Sequence, residues 1–215
     1  MLFQVLGRGT KALAQLKPGD QISALVPLGN CWIGSGNDQQ AASRLPEKAL
    51  IVSGGIGSAS VLMLAEELKQ KKINTHIFFG AVSESAAAGC GLKEFRDLNV
   101  PMEITTDDGS LGEQGFVTTP LEQHLISGTE SGSVIYTCGP WGMMKRVAEI
   151  STAFRIPCYV SLEAPMSCGF GVCVGCVVAV KPADDSPYSR YKRVCVDGTI
   201  FPASTIDWDV QSMSH

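Results

Sequence analysis

The chain has 215 residues, 45% hydrophobic and 18% charged. That is the balance of an ordinary globular protein able to bury a core, as one large or two small domains. Its formal net charge of −4 argues against a nucleic-acid partner, which calls for a basic face. No run approaches the ~20 apolar residues that cross a bilayer, and the first residues lack the pattern of a secretory signal, so no membrane partner and a cytoplasmic location are expected.

Residues 1–46 hold short apolar runs broken by Gly7-Arg8-Gly9-Thr10, Pro18-Gly19-Asp20 and Pro27-Leu28-Gly29-Asn30, which predicts strands joined by turns. Residues 37–43 are mostly polar and read as a loop. The period then changes. Ala49-Leu50-Ile51-Val52 has the look of a buried strand, Ser53-Gly54-Gly55-Ile56-Gly57-Ser58 follows it, and an amphipathic helix is predicted over about 59–72. Strands are predicted at 75–79, 102–105, 134–137 and 158–162, with a second clear helix over 142–154. Strands alternating with helices imply a parallel sheet covered on both faces. From about Glu163 the chain is rich in Gly, Cys and Val. There 177–181 and 191–196 are predicted to pair around a polar loop at 182–189.

Of eight cysteines, Cys31, Cys90, Cys138 and Cys158 are scattered, while Cys168, Cys173 and Cys176 fall within nine residues and Cys195 follows at a distance. In a cytosolic chain such crowding reads as metal ligation rather than as a disulfide framework. The spacing is C-x4-C-x2-C with a fourth cysteine beyond, the plant-type pattern for a [2Fe–2S] cluster. Four thiolates must converge on two irons while the backbone wraps closely around them. Gly169, Gly171 and Gly175 remove side chains where the loop must curl, and loop N–H groups can then face the sulfurs. A structural four-cysteine zinc site, a redox pair at Cys173 and Cys176, and inert buried thiols remain as alternatives.

Gly54, Gly55 and Gly57 lie between a strand and a helix, where a helix N-terminus can face a pyrophosphate. The pattern is G-G-x-G and not the full dinucleotide fingerprint, and no acidic residue ends the second predicted strand. A tight turn with no ligand is the alternative. Two more segments, Thr105-Thr106-Asp107-Asp108-Gly109-Ser110 and Tyr136-Thr137-Cys138-Gly139-Pro140, also follow strands. All three are therefore expected where open α/β sheets bind ligands, beyond the carboxyl ends of the strands.

In this order, with Pro27-Leu28-Gly29 before them and Ser161-Leu162-Glu163 leading into Met166-Ser167-Cys168-Gly169, the motifs resemble the electron-transfer subunits of the heteromeric, NAD-dependent dihydroorotate dehydrogenases, in the ferredoxin-reductase superfamily. The resemblance covers essentially the whole chain. It is most specific in the C-terminal third, including Val194-Cys195-Val196-Asp197-Gly198 and Phe201. It implies a mixed α/β and β architecture: the remainder of a flavin-binding β-barrel over 1–46, a parallel-sheet nicotinamide-binding domain over 47–162 and a small [2Fe–2S] domain over 163–215. It implies FAD, held in part by Leu2, Phe3, Gln4, Gly9 and Thr10; NAD, held by Gly54, Gly55, Gly57, Asp107, Gly139 and Pro140; and a cluster on Cys168, Cys173, Cys176 and Cys195. Cys138 takes the place near the reacting rings, as the one catalytic candidate.

The implied partner is an FMN-containing catalytic subunit, two copies of each in a heterotetramer, in which dihydroorotate is oxidised for pyrimidine biosynthesis. Electrons would pass from that FMN through the cluster and FAD to NAD. Against the family pattern, an Arg-Pro-x-Ser/Thr flavin motif and half a barrel are missing ahead of Met1. An incomplete barrel with unpaired strand edges and weakened FAD binding is therefore expected. Val26 and Val82 stand where the family has Gly and Arg. Two other readings compete. One is the small subunit of a ferredoxin:NAD(P) oxidoreductase or the diaphorase subunit of a soluble hydrogenase. The other is a non-catalytic module with a structural zinc.

Overall fold

In a computed structural model of the chain, described over residues 2–33, 45–128, 131–182 and 184–210, the centre is β1 (Lys48–Gly54), buried from its second residue onward. Its continuous apolar run suits a strand covered on both faces. The 3-10 turn Gly55–Gly57 leads into α2 (Ser58–Gln70). The helix buries Ser58, Val61, Leu64, Ala65 and Leu68, the one-sided stripe that a 3.6-residue period requires. β2 (Asn74–Ala81), β3 (Met102–Thr106) and the two-residue β4 (Glu113–Gln114) extend the sheet on one side. β5 (Ser133–Cys138) and β6 (Cys158–Ser161) extend it on the other. The order is β4-β3-β2-β1-β5-β6-β9, parallel throughout except for β9 (Ile200–Pro202), which runs antiparallel to β6. Chain order reverses direction between β1 and β5, which opens a crevice at their carboxyl ends.

α6 (Trp141–Phe154) matches the second predicted helix. The elements not predicted include α3 (Glu84–Gly89), α4 (Leu92–Asp97), α5 (Thr118–Ser127), β4 and the three-residue β9. Each is short or mixed in polarity, so its period is weak. The predicted pair in the last region forms as β7 (Val177–Ala179) against β8 (Tyr191–Arg193), antiparallel. Val194–Asp197 is the helical turn α7 rather than a continuation of the strand. There Asp197 Oδ2 accepts from Arg193 N at 2.7 Å and bends the chain back.

The N-terminal expectation needs correction. Among the described residues 2–33 no strand forms; α1 (Arg8–Leu13) is a six-residue helix with no buried residue. A strand needs a hydrogen-bonded neighbour. Here the main chain is tied to another segment where Asn30 N donates to Gly198 O at 2.7 Å. The predicted loop at 37–43 lies outside the described residues. Two anchors tie this region down. The Asn30 side chain donates to Ile200 O at 2.7 Å and accepts from Ile200 N at 2.9 Å. Trp32, itself buried, donates through Nε1 to Ser60 O at 2.9 Å and meets Tyr136 edge-on.

The two faces of the sheet carry two cores. One holds Ile51, Val61, Leu68, Ile77, Phe79, Phe95 and Tyr136 under α2 and α4. The other holds Leu50, Val52, Phe78, Leu121 and Val147, and continues without a break into Cys176, Val178, Val194, Cys195 and Phe201. The cysteine-bearing region thus shares a core with the parallel sheet and lends it an edge strand.

Candidate functional site

The crevice is built first by glycines. A Cβ on Gly57 would stand 2.4 Å from Cys138 O and 2.6 Å from Gly139 N, so the start of α2 rests directly on the end of β5. A Cβ on Gly139 would meet Gly54 Cα and N at 3.0 Å. Gly55 differs: its φ is +54°, and a Cβ there would touch nothing within 4 Å. Gly57 and Gly139 serve close packing of one strand end on another, whereas Gly55 turns the chain and leaves its face open to a ligand.

Beside it lies a cavity of about 470 Å³ lined by Gly54, Gly55, Gly80, Ala81, Val82, Thr105, Asp107, Phe116, Thr118, Pro140, Met143 and Arg146, among others. The volume is within the ~300–1,000 Å³ of small-molecule sites. The three predicted segments therefore meet: Gly54 and Gly55 from the first, Asp107 from the second and Pro140 from the third. Thr105 Oγ1 is buried at this cavity with no hydrogen-bond partner among the described residues, and a ligand polar group would satisfy it. These features fit a nicotinamide dinucleotide. Sequence reading missed Phe116, Thr118, Met143 and Arg146, which reach the cavity from α5 and α6 and their approaches. Arg146 is already engaged, donating to both Glu122 oxygens at 2.9 and 3.1 Å and lying 3.5 Å from Glu149.

Cys138 lies outside this lining. It ends β5, 2% exposed, on the face with α2. Burial pushes its thiol up to about 11, and the Glu163 charge adds to this, against contacts with the Ser60 and Ser161 hydroxyls that lower it. Ser60 Oγ in turn donates to Ser161 Oγ at 3.0 Å. The thiol is protonated at neutral pH and is no nucleophile there.

The predicted flavin residues sit apart from the cavity. Leu2, Phe3 and Gln4 have no regular structure, and Gly9 lies in α1. Thr10 Oγ1 accepts from Leu6 N and Gly7 N at 3.0 Å each, which closes the turn. These residues form no closed flavin pocket among the described residues.

The cysteine loop curls through Gly169 (φ +79°), Gly171 (φ +92°) and Val174 (φ +56°). A Cβ on Gly171 would lie 2.5 Å from Val196 Cγ2, and Arg193 Nη1 donates to Gly171 O at 3.2 Å. The curl aims N–H groups inward. Those of Cys173, Phe170 and Val172, with the Cys173 side chain, lower the Cys168 thiol to about 6. Gly175 N donates to Cys173 Sγ and Cys195 N to Cys176 Sγ, both at 3.4 Å.

The thiols fall into two pairs. Cys168 interacts with Cys173. Cys195 is raised first by its hydrogen bond with Cys176, then by burial and by the Cys176 and Cys168 charges. A single tetrahedral zinc would instead draw all four sulfurs to about 3.8 Å of one another, given Zn–S near 2.3 Å. Two pairs, each set for one iron and lined by N–H donors, fit a [2Fe–2S] cluster better than one zinc ion.

A parallel sheet with a glycine-lined nucleotide crevice, sharing its core with a four-cysteine loop, defines a nicotinamide-dependent iron–sulfur oxidoreductase. Residues 51–149 match the oxidoreductase NAD-binding domain, and residues 163–207 match the iron–sulfur cluster binding domain of dihydroorotate dehydrogenase B. The dihydroorotate dehydrogenase B (NAD(+)) electron transfer subunit of Caldanaerobacter subterraneus subsp. tengcongensis is 37% identical over 96% of this chain and 74% of its own length. Those of Desulforamulus reducens and Streptococcus mutans are each 34% identical, over 97% of this chain and 74% of theirs. A solved structure of an NADH-dependent reduced ferredoxin–NADP oxidoreductase superposes with a TM-score of 0.75 at 29% identity, over 96% of this chain and 68% of that one. The chain belongs to the family of dihydroorotate dehydrogenase B electron-transfer subunits.

Proposed function

We infer that this chain carries electrons from the FMN of a dihydroorotate dehydrogenase catalytic subunit, by way of a [2Fe–2S] cluster and FAD, to NAD, in the synthesis of pyrimidines. The observation that carries this reading is the paired, N–H-lined set of Cys168, Cys173, Cys176 and Cys195 on a loop that shares its core with the nucleotide crevice. The cluster supplies one-electron steps and the flavin and nicotinamide exchange hydride, so the cofactors carry the chemistry. The chain's own residues bind and orient. Gly54 and Gly55 let the backbone approach a pyrophosphate at the start of α2. Thr105 and Asp107 offer polar groups to the nucleotide. Cys138, held as a neutral thiol, is a packing surface at the end of β5, with Gly139 and Pro140 turning the chain beside it. Leu2, Phe3, Gln4, Gly9 and Thr10 are assigned to the flavin side.

On this reading residues 1–46, 47–162 and 163–215 are the flavin, nicotinamide and cluster regions. The subunit works in the cytoplasm, two copies with two catalytic subunits; no helix among the described residues is long and apolar enough to cross a membrane. Met166, Phe170, Val172 and Val174 stand exposed around the cysteine loop, an apolar rim suited to the partner.

The test is anaerobic co-expression with an FMN-containing catalytic subunit, followed by assay of dihydroorotate-dependent NADH formation and of iron and acid-labile sulfide. Two irons and two sulfides per chain with NADH formation are expected. An intact complex loaded with cluster and flavin that yields NADH only from reduced ferredoxin would move the chain to the ferredoxin:NAD(P) oxidoreductases.

A further inference from the structure

We propose that His76, Glu103 and His124 form a binding site for a zinc-class divalent metal ion at the end of the sheet opposite the nucleotide crevice. Strand alternation puts His76 on the same face of β2 as Phe78. The parallel register sets Glu103 of β3 beside Phe78. α5 covers that face through the buried Leu121 and Leu125 and brings His124 onto the two of them. The His76 and His124 rings lie 4.7 Å apart, and His76 Nε2 is 2.8 Å from Glu103 Oε1. One donor atom from each residue lies within 4.8 Å of the other two. Ligands at about 2.0–2.1 Å from one zinc stand roughly 3.3 Å apart, so small side-chain rotations close the set.

The bland alternative is a histidine–carboxylate ion pair. Two features go against it. His76 Nε2 is buried and, despite its closeness to Glu103, has no aligned hydrogen bond. Two histidines, not one, face the carboxylate. Two imidazoles and a carboxylate suit zinc, nickel or copper better than magnesium or calcium. Three protein ligands leave a fourth position for water. Lys48 Nζ lies 3.1 Å from His124 Nε2 and is the cation that the metal displaces. Bound there, the ion ties β2, β3 and α5 together toward the strand ends away from Gly80 and Asp107.

The experiment adds zinc ion alone to the cluster-loaded protein, followed by dialysis, metal analysis and X-ray absorption at the zinc edge. One equivalent of zinc is expected, with nitrogen and oxygen ligands at about 2.0–2.1 Å and unchanged iron and sulfide. His76→Asn and His124→Asn should each weaken binding at least about tenfold, as loss of a ligand or its support does. Glu103→Gln, at a half-exposed position, serves should a histidine variant fail to fold. Lys48→Met should tighten binding. No retained zinc, zinc bound equally by all variants, or sulfur ligands at about 2.3 Å would each overturn the proposal.

Discussion

Replacing Gly57 by alanine places a Cβ 2.4 Å from Cys138 O, 2.5 Å from Cys138 C and 2.6 Å from Gly139 N. All three are backbone atoms of a central strand end, so no flexible side chain can yield. The helix must lift away from β5, or the β5 end must shift. Overpacking of this kind costs about 1–3 kcal/mol, and backbone against backbone belongs at the upper end. For a domain of this size about 2–3 kcal/mol lowers Tm by roughly 5–10 °C. Gly55→Ala is the matched control. Its Cβ meets nothing within 4 Å, so the only folding cost is the left-handed φ, about 1 kcal/mol. That Cβ enters the space facing the nucleotide, however, and should raise KM for NAD severalfold. The assay is thermal unfolding of both variants alongside steady-state kinetics with the partner subunit. A Gly57→Ala protein as stable as the parent, or a Gly55→Ala protein with unchanged KM, refutes the division of these glycines into packing and ligand-facing roles.

Cys173→Ser should abolish cluster assembly while leaving the partner's dihydroorotate oxidation by an artificial dye intact; iron analysis and paired assays read this directly. Burial holds Cys138 and Cys158 protonated up to about 11 and about 12, against an ordinary 9.0. The unfolded chain therefore sheds these protons first, so their contribution to stability is full below about pH 9 and falls as pH rises toward 11–12. Denaturant titrations at pH 8 and pH 10 should show the loss, and Cys158→Ala should flatten it; a parent with no alkaline loss contradicts the assignment. Glu122→Gln removes the carboxylate that holds Arg146 at the cavity. The exposed pair is worth at most about 1 kcal/mol, so stability should hardly change, while the ratio of NADPH to NADH turnover should rise; an unchanged ratio shows that Arg146 does not reach the nucleotide.

Much of the parallel sheet was legible because its strands carry unbroken apolar runs and its two long helices carry clear one-sided stripes. The candidate cysteine set stood out because a metal site demands particular residues at particular spacings. α3, α4, α5 and β4 were not legible, since each is too short or too mixed in polarity for a period to stand out. The strands expected in residues 1–46 did not form among the described residues 2–33, for the complementary reason. Gly, Pro and short apolar runs mark places where a strand can form, but hydrogen bonding to a neighbour decides whether it does.

By itself, then, the order of residues determined the strand–helix alternation, the glycine turn after β1 and a candidate set of four sulfur donors, because each is local in sequence or tied to one residue type. Only the tertiary structure decided that Phe116, Met143 and Arg146 share a cavity with Gly55 and Asp107, and that Cys138 faces the other side of the sheet. It alone decided that the sulfurs pair as 168 with 173 and 176 with 195, and that His76, Glu103 and His124 converge. Those facts depend on strand register and on which helix covers which face, which many distant contacts set together and no single stretch of chain contains.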